Sequence, residues 1–199
     1  MSKQLSKPSP ESAREFLQRL STQLLPLDGW GSFRSGAKKA AVAAILYQRE
    51  AAWHMPFVVR RADLPSHPGQ VGFPGGMVRE GEGAWEAAAR EAEEEVGAPA
   101  SALRPLGAGA PLYAAVTNFS VVPFVAFLPT LDARFSPDLR ELDAVLEVPL
   151  DRLLDAEAWL EGSQPWPGRH LPVEDTMIWG LTARLLADLL PRISAALAA

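Results

Sequence analysis

Four glutamates lie within five consecutive positions of one stretch that is predicted to be helical, namely Glu91, Glu93, Glu94 and Glu95. Like charges three or four residues apart on a helix repel one another, so the cluster lowers stability unless a cation lies among them. Clustered carboxylate oxygens suit hard cations such as Mg²⁺ or Mn²⁺ rather than zinc. Mg²⁺ usually takes one or two carboxylates and completes its coordination with water and substrate phosphates. Taken alone, such a charge run is more typical of a solvated acidic face, and the residues before it decide whether a metal site is favoured.

A helical wheel at about 100° per residue separates this stretch into faces. The apolar stripe that should face the core consists of Trp85, Ala89, Ala92 and Val96. Glu91, Glu94 and Glu95 fall together on one flank. Arg90 follows Glu86 by four residues and precedes Glu94 by four, which is the spacing of helix ion pairs. The pattern predicts that the three carboxylates converge beside Arg90, which can fix their geometry.

The segment before the helix is a Phe73-Pro74-Gly75-Gly76 turn, in which two glycines let the backbone approach a ligand closely. It is not a P-loop, because no Gly-Lys-Ser/Thr sequence follows it. Five residues separate Gly76 from Glu82, and seven more separate Glu82 from Arg90-Glu91. With the residues up to Ala98, the stretch resembles the Nudix box, G-x5-E-x7-R-E-U-x-E-E-x-G-U, where U is a bulky apolar residue. All seven fixed positions match, and alanine occupies both U positions.

This resemblance implies a metal-dependent hydrolase and gives roles to residues of the box. The metal ligands that it implies are Glu91, Glu94, Glu95 and the Gly75 carbonyl. Arg90 would orient Glu91, and Glu82 would support the loop in a secondary role. Bound metal ions neutralise charge on a diphosphate and help to activate a water, and the remaining catalysis is positioning around an in-line attack at phosphorus. The general base stays open between Glu91 and Glu141, a carboxylate outside the box.

The residues before the box carry a second resemblance, to the coenzyme A pyrophosphatase branch of the Nudix family. That branch has L-L-T-x-R-S-x3-R-x3-G-x3-F-P-G-G, and this chain has FVVRRADLPSHPGQVGFPGG. Arg61, Gly69 and the FPGG turn match, whereas Ala62 stands in place of the usual serine. The second arginine is absent, Ser66 lies near its place, and the segment is one residue short.

The second resemblance extends from about Ala41 to Leu190. It implies an α/β/α sandwich around a mixed β-sheet, and cleavage of coenzyme A to 3′,5′-ADP and 4′-phosphopantetheine. The substrate-binding residues that it suggests are Arg61, His67, Gly69, Gln70 and Phe73, with His67 as the nearby substitute for the missing arginine. The alternatives are hydrolysis of ADP-ribose or a dinucleotide, a nucleotide-binding module of the same fold without catalysis, and an acidic helix that binds another protein.

The rest of the chain is predicted to supply a mixed α/β framework. Strands are predicted at KAAVAAILYQ, MPFVVRR, ALRPLG and SVVPFVAFLP, and Pro123 in the last of these favours an edge strand or a bulge. Ser12 and Glu15 have the spacing of a capping box, and a closing amphipathic helix contains Pro191, a candidate kink. Residues 1–36 are interpreted as an N-terminal helix and lead-in, and residues 37–199 as a single Nudix hydrolase domain.

Composition narrows the classes of partner. The chain of 199 residues has a net charge of −5 and no cysteine, which excludes disulfides and thiolate metal sites and fits the cytoplasm. The acidic balance argues against nucleic-acid binding, and the apolar runs are too short to cross a bilayer. We expect a cytoplasmic monomer or homodimer that binds a small nucleotide, and neither nucleic acid nor a membrane.

Aromatic residues give a further expectation about the nucleotide. Phe119 and Trp166 lie in loop-like segments and are candidates for stacking on an adenine. The other tryptophans, including Trp159 and Trp179, are interpreted as core or loop anchors.

Overall fold

The computed structural model describes residues 10–50, 52–64, 68–129, 135–162 and 168–198. The α-helices assigned in these ranges are α1 (Pro10–Gln23), α2 (Ala84–Val96), α3 (Leu150–Leu154) and α4 (Gly180–Ala198). The strands are β1 (Lys38–Arg49), β2 (Ala52–Arg60), β3 (Val71–Gly72), β4 (Gly75–Met77), β5 (Arg104–Ala108), β6 (Leu112–Ala114), β7 (Phe119–Phe127), β8 (Leu142–Pro149), β9 (Leu160–Gly162), β10 (Gly168–Val173) and β11 (Thr176–Ile178).

Strands β1 to β8 form one mixed sheet, whose main path runs β3-β2-β1-β7-β5. Strand β1 is parallel to β7, from Lys38 beside Phe119 to Leu46 beside Phe127. The other pairs are antiparallel, and they include β4 beside β1, β6 beside β7 and β8 beside β2. Strands β9, β10 and β11 form a separate small sheet. The main sheet therefore brings β4, which carries the glycine turn, onto β1 at the centre of the fold.

Strand β1 contributes side chains to two cores, because successive side chains of a strand point to opposite faces. One face packs with residues of α1 and α4 and includes Ala40, Ala44 and Leu46. The other face packs with residues of α2 and includes Ala41, Ala43, Ile45 and Tyr47. Helices thus cover both faces of a mixed sheet, and the predicted fold class is confirmed.

Pro123 lies in the interior of the sheet, so its predicted placement on an edge strand is wrong. Its strand, β7, pairs with β1 on one side, where Pro123 lies beside Val42. On the other side β5 pairs up to Ala108, and β6 begins to pair at Leu112. The carbonyl of Pro123 accepts from Gly109 N at 2.8 Å, within this interruption. The sheet accommodates the missing N–H of proline at a break in the neighbouring strands rather than at an edge.

Helices α1 and α4 pack against each other on one face of the sheet. Arg19 Nε donates to Ala196 O at 2.9 Å, and Arg192 Nη1 donates to Gln23 O at 2.7 Å. Helix α1 begins at Pro10, so Ser12 lies inside the helix and the predicted capping box is wrong. Helix α4 continues through Pro191 as one element. Within the described ranges, no helix has both the length and the apolar character that crossing a membrane requires.

Candidate active site

Helix α2 is positioned by the glycines of the box and by a small-residue face. Gly97 ends the helix in the left-handed conformation, at φ 69° and ψ 20°, and its N–H donates to Glu93 O at 3.1 Å. Glycine adopts this conformation without the Cβ penalty that other residues incur. Ala92 and Ala98, at the two bulky positions of the motif, are fully buried in the core between α2 and the sheet. Alanine at these positions therefore serves packing.

Arg90 joins three carboxylates of the site. Its Nε and Nη2 donate to the two carboxylate oxygens of Glu82 at 2.7 and 3.1 Å. Its Nη1 donates to Glu91 Oε1 at 2.6 Å and to Glu94 Oε2 at 3.2 Å. The remaining contact of Nη2 is with Met77 O at 3.2 Å, which ties the helix to β4. The predicted pair with Glu86 is wrong, since the ion pairs of Arg90 are with Glu82, Glu91 and Glu94.

Glu82 binds two partners, Arg90 and the backbone of the turn before α2. Its Oε2 also accepts from Arg79 N at 2.9 Å. The hydrogen bonds from Arg90 are the largest of the effects that lower the pKa of Glu82 to about 2. Glu82 therefore stays ionised and holds the guanidinium from the side opposite Glu91, as a carboxylate in a charge-assisted pair does.

Glu95 occupies a different environment from its neighbours on the helix. Its side chain is buried, and one carboxylate oxygen accepts from Gly75 N at 2.9 Å. Burial raises the pKa of Glu95 to about 7, against the lowering effect of this hydrogen bond, and the charge of Glu91 raises it further. The predicted convergence on Arg90 is therefore right for Glu91 and Glu94 only. Glu95 lies instead against the glycine turn.

The two glycines of the turn make room for atoms of the site. A Cβ on Gly76 would lie 2.5 Å from the Glu91 carboxylate carbon, closer than any real contact. A Cβ on Gly75 would lie 2.5 Å from Ala41 O on the neighbouring strand. Glycine is required at position 75 because a side chain there would meet the backbone of β1, whereas at position 76 it leaves the Glu91 carboxylate in place.

The donor set of the site is chemically suited to a hard divalent cation, because it consists of carboxylate and backbone oxygens. Across the described residues, no three His, Asp or Glu side chains are already arranged around one common point. The hydrogen bonds of the glutamates give the reason. Arg90 holds Glu91 and Glu94, whereas Glu95 turns toward Gly75. A cation would bind here if these side chains rotated from the arginine toward the turn.

A cavity of about 490 Å³ lies next to the acidic cluster. Gly75 and Glu95 belong both to its wall and to the cluster. Its lining also includes Trp179, just before α4, residues 180–182, 184 and 185 of α4, and residues 114–117 from the end of β6 onward. Arg60 and Arg184 are the cations among the lining residues that the structure describes.

Some of the substrate-binding residues predicted from the sequence line the cavity, and others do not. Gln70 and Phe73 line the cavity, although Phe73 is largely buried and stacks on Phe57 with centroids 4.9 Å apart. Gly69 lies outside the lining and donates its N–H to Arg60 O at 3.1 Å. His67 lies outside the described residues.

Arg61 points away from the cavity, and its neighbour Arg60 points into it. Arg61 Nε and Nη2 donate to the carboxylate of Asp63 at 2.8 and 2.6 Å, and Nη1 donates to Leu139 O at 2.9 Å. Arg60 lines the cavity together with Val58, two residues before it on β2. Strand β2 ends at Arg60, so Arg61 lies beyond the strand, and its contacts with Asp63 and Leu139 O hold it away from the cavity.

Glu141 lies beside Arg60. Its Oε2 is 3.7 Å from Arg60 Nη1, and more than half of its side chain is exposed. Its charge also contributes to the raised pKa of Glu95, so the two carboxylates lie within electrostatic reach of each other.

The aromatic expectations have different outcomes. Phe119 lies outside the lining of the cavity, with Lys38 Nζ 5.4 Å from its ring centroid. Trp166 lies outside the described residues. Trp159 is an anchor as predicted, because it is buried and donates Nε1 to Leu153 O at 2.9 Å. Trp179 lines the cavity, and no local sequence signal indicates this because its position depends on the packing of α4.

Comparison with known proteins places this site in a family. The NUDIX domain model matches residues 37–166. The chain is 33% identical over 201 residues to a Yersinia enterocolitica protein named uncharacterized Nudix hydrolase NudL, covering 98% of this chain and 100% of that protein. A protein of the same name from Pectobacterium atrosepticum is 30% identical over 203 residues, covering 94% and 97% of the two chains.

Solved structures show the same fold. The MutT protein from Methanosarcina mazei Go1 superposes with a TM-score of 0.53 at 19% identity, covering 82% of this chain and 97% of that chain. The NUDIX domain of Shewanella oneidensis NrtR, solved with ADP ribose, gives a TM-score of 0.52 at 15% identity, covering 80% and 90%. The chain belongs to the Nudix family. It is a Nudix hydrolase, of the class that acts on nucleoside diphosphate derivatives and generally uses divalent metal ions.

Proposed function

We propose that this hydrolase cleaves the diphosphate of coenzyme A where α2 meets the cavity. The observation that carries the proposal is that Gly75 and Glu95 belong to both the acidic cluster and the cavity wall. A ligand in the cavity would therefore present its diphosphate to the acidic helix. The volume of about 490 Å³ lies within the range of small-molecule pockets, which is roughly 300–1,000 Å³.

The residues that the Nudix box implies for catalysis divide into metal ligands and positioning residues. Glu91, Glu94 and Glu95, with the Gly75 carbonyl, would hold Mg²⁺ or Mn²⁺. The bound metal would neutralise charge on the diphosphate and lower the pKa of a water. Arg90 positions Glu91 through its contact at 2.6 Å, and Glu82 positions Arg90 through two parallel hydrogen bonds. Both are positioning residues.

Glu141 is the candidate base that the contacts favour. Glu91 is held by Arg90 and would also hold metal, and both contacts make its carboxylate a weaker proton acceptor. Glu141 is largely exposed and has a long contact with Arg60, which lines the cavity. A base must be able to accept the proton of the attacking water. Glu141→Gln should lower kcat by about 100-fold or more, and an unchanged kcat would return this role to Glu91.

Coenzyme A is the substrate that the residues upstream of the box support. Arg61, Gly69 and the FPGG turn resemble the coenzyme A pyrophosphatase branch. Arg60 and Gln70, from the same segment, line the cavity and offer a cation and an amide to the extra phosphate and polar groups of this substrate. The products would be 3′,5′-ADP and 4′-phosphopantetheine.

A substrate panel tests this function. Coenzyme A, its thioesters, dephospho-coenzyme A, ADP-ribose, NADH and nucleoside triphosphates are assayed with Mg²⁺ and with Mn²⁺. We expect the highest kcat/KM for coenzyme A, with the two products in equal amounts. A higher kcat/KM for ADP-ribose or a dinucleotide would show that this compound is the preferred substrate, and the proposed diphosphate hydrolysis would still hold. Absence of turnover with every compound and both metals would favour a binding module instead.

A further inference from the structure

Trp179 differs from the other described tryptophans in its contacts. Each of the others has a ring or hydrogen-bond partner: Trp30 packs on Phe33, Trp53 on Phe16, Trp85 on Phe124, and Trp159 donates to Leu153 O. Trp179 is half-buried and lines the cavity. Among the residues that the structure describes, its indole has no aromatic partner and its Nε1 has no acceptor. A buried tryptophan usually has a partner for its N–H, whereas the half-buried indole of Trp179 is left accessible to a ligand in the cavity.

The backbone on both sides of Trp179 is firmly held. Ile178, the last residue of β11, is fully buried. On the other side, Thr182 Oγ1 donates to Val71 O at 2.8 Å and ties the first turn of α4 to β3. Gly180 supplies the left-handed conformation, at φ 58°, that turns the chain from β11 into α4. The indole is therefore presented to the cavity by a rigid support.

The start of α4 and the acidic cluster are tied to one short segment of the chain. Thr182 donates to Val71 O, and Glu95 accepts from Gly75 N, four residues further along the chain. Four residues span about 14 Å at most, so both groups lie within reach of one nucleotide. The cavity that they line is largely apolar, and its lining includes Val42, Val58 and Phe73. A flat base at one end and a diphosphate at the other would satisfy both ends of the cavity.

We propose that Trp179 is a specificity-determining residue that stacks on the nucleobase of the substrate, while the diphosphate lies at α2. This inference rests on the proposed function for the position of the diphosphate. It deepens that function by assigning the end of the cavity at α4 to the base. The apolar part of the substrate is the competing occupant of this end, and binding measurements with two probes distinguish the two.

The test measures binding by calorimetry in the presence of Mg²⁺, with ADP and inorganic pyrophosphate as probes. Pyrophosphate lacks the base, so it reports on the phosphate end alone. Trp179→Leu should weaken ADP binding about 5-fold or more, the low end of the range for base–aromatic stacking, and leave pyrophosphate binding unchanged. Trp179→Phe should restore most of the ADP affinity because it keeps an aromatic face.

Trp30→Leu is the matched control, because Trp30 is a half-buried tryptophan whose ring packs on Phe33 and Phe124 outside the cavity. It should bind both probes as the wild type does. Equal weakening of both probes by Trp179→Leu would overturn the inference, as would unchanged ADP binding or a wild type that does not bind ADP. An unchanged ADP affinity would also assign the α4 end to the apolar part of the substrate.

The outcomes separate this inference from the substrate assignment. If ADP binding depends on Trp179 but coenzyme A is not hydrolysed, the base site stands and the substrate is another nucleoside diphosphate derivative. If coenzyme A is hydrolysed and ADP binding does not depend on Trp179, the function stands and the base site is wrong.

Discussion

The two ends of the cavity differ in how their side chains are held. At the α2 end, Arg90 contacts Glu82, Glu91 and Glu94, and Glu95 is bonded to the backbone of the glycine turn. At the α4 end, the side chains of Trp179 and Arg184 have no ion-pair, hydrogen-bond or ring partner among the described residues. Both ends rest on rigid elements, so the difference lies in the side chains.

The difference separates chemistry from recognition. The charged groups of the α2 end belong to the proposed chemistry, and Arg90 and the glycine turn keep them within reach of a metal ion before it binds. Groups that recognise a particular substrate gain their partners only when that substrate binds. Variants at the α2 end should therefore change turnover, whereas variants at the α4 end and at Arg60 should change affinity.

Gly76→Ala, a change at the α2 end, should lower turnover more than the changes at Arg60 or Arg61. Its Cβ would displace the Glu91 carboxylate, which lies 2.5 Å away. Because the displaced atoms end a flexible side chain, stability should change by less than about 1 kcal/mol. A displacement of about 1 Å in a catalytic group can lower the rate about 100-fold. Activity and thermal unfolding measured together check this, and a fully active variant would show that the position of Glu91 is not critical.

Arg60→Ala and Arg61→Ala compare the prediction from the structure with that from the sequence motif. Arg60 lines the cavity, and a lost hydrogen bond to a charged group costs about 1.5–3 kcal/mol, so KM for coenzyme A should rise roughly 10- to 150-fold. Arg61→Ala should change KM less, because its guanidinium contacts Asp63 and Leu139 O. KM is also measured for dephospho-coenzyme A, which lacks the extra phosphate, so that a contact with that phosphate can be recognised. A larger rise for Arg61→Ala would reverse the assignment.

A smaller effect is expected on the pH dependence of the stability of the metal-free protein. The pKa of Glu95 is raised to about 7 from the ordinary 4.5, so between these values the folded chain binds more protons than the unfolded chain. Its contribution to stability is present at low pH and lost as pH rises through this window. Glu95→Gln removes that loss. In chelator, the melting temperature of Glu95→Gln relative to wild type should rise from pH 5 to pH 8, and parallel curves would contradict this.

Much of the α2 end could be predicted from the sequence because its determinants are local. The spacing from Gly76 to Gly97 includes the turn, the helix and its left-handed end within one continuous stretch. The partner of Arg90 was predicted wrongly at Glu86, because a bend in the chain before α2 brings Glu82 closer. Local helix spacing cannot show such a contact.

The α4 end could not be predicted because it depends on packing between distant segments. Trp179 lines the cavity next to Thr182, which donates to Val71 O, 111 residues away in the chain. Arg60 and Arg61 are adjacent and chemically alike, and the end of β2 at Arg60 and the contacts of Arg61 with Asp63 and Leu139 O decide which of them lines the cavity.

We expect that the glutamates of α2 are clustered because together they bind a divalent metal ion. Thermal unfolding in chelator and in excess Mn²⁺ tests it, with Glu95→Gln compared with Glu93→Gln. Glu93 is exposed and occupies a variable position of the box, so it is the matched control. At a metal concentration of about 100 times Kd, wild type and Glu93→Gln should each gain about 2.7 kcal/mol, or roughly 5–10 °C.

Glu95→Gln should gain little from Mn²⁺, be at least as stable as wild type in chelator, and have almost no activity. This combination would place the function of Glu95 in metal binding rather than in the fold. An equal gain from Mn²⁺ in both variants, or a Glu95→Gln protein that stays active, would show that Glu95 does not serve metal binding.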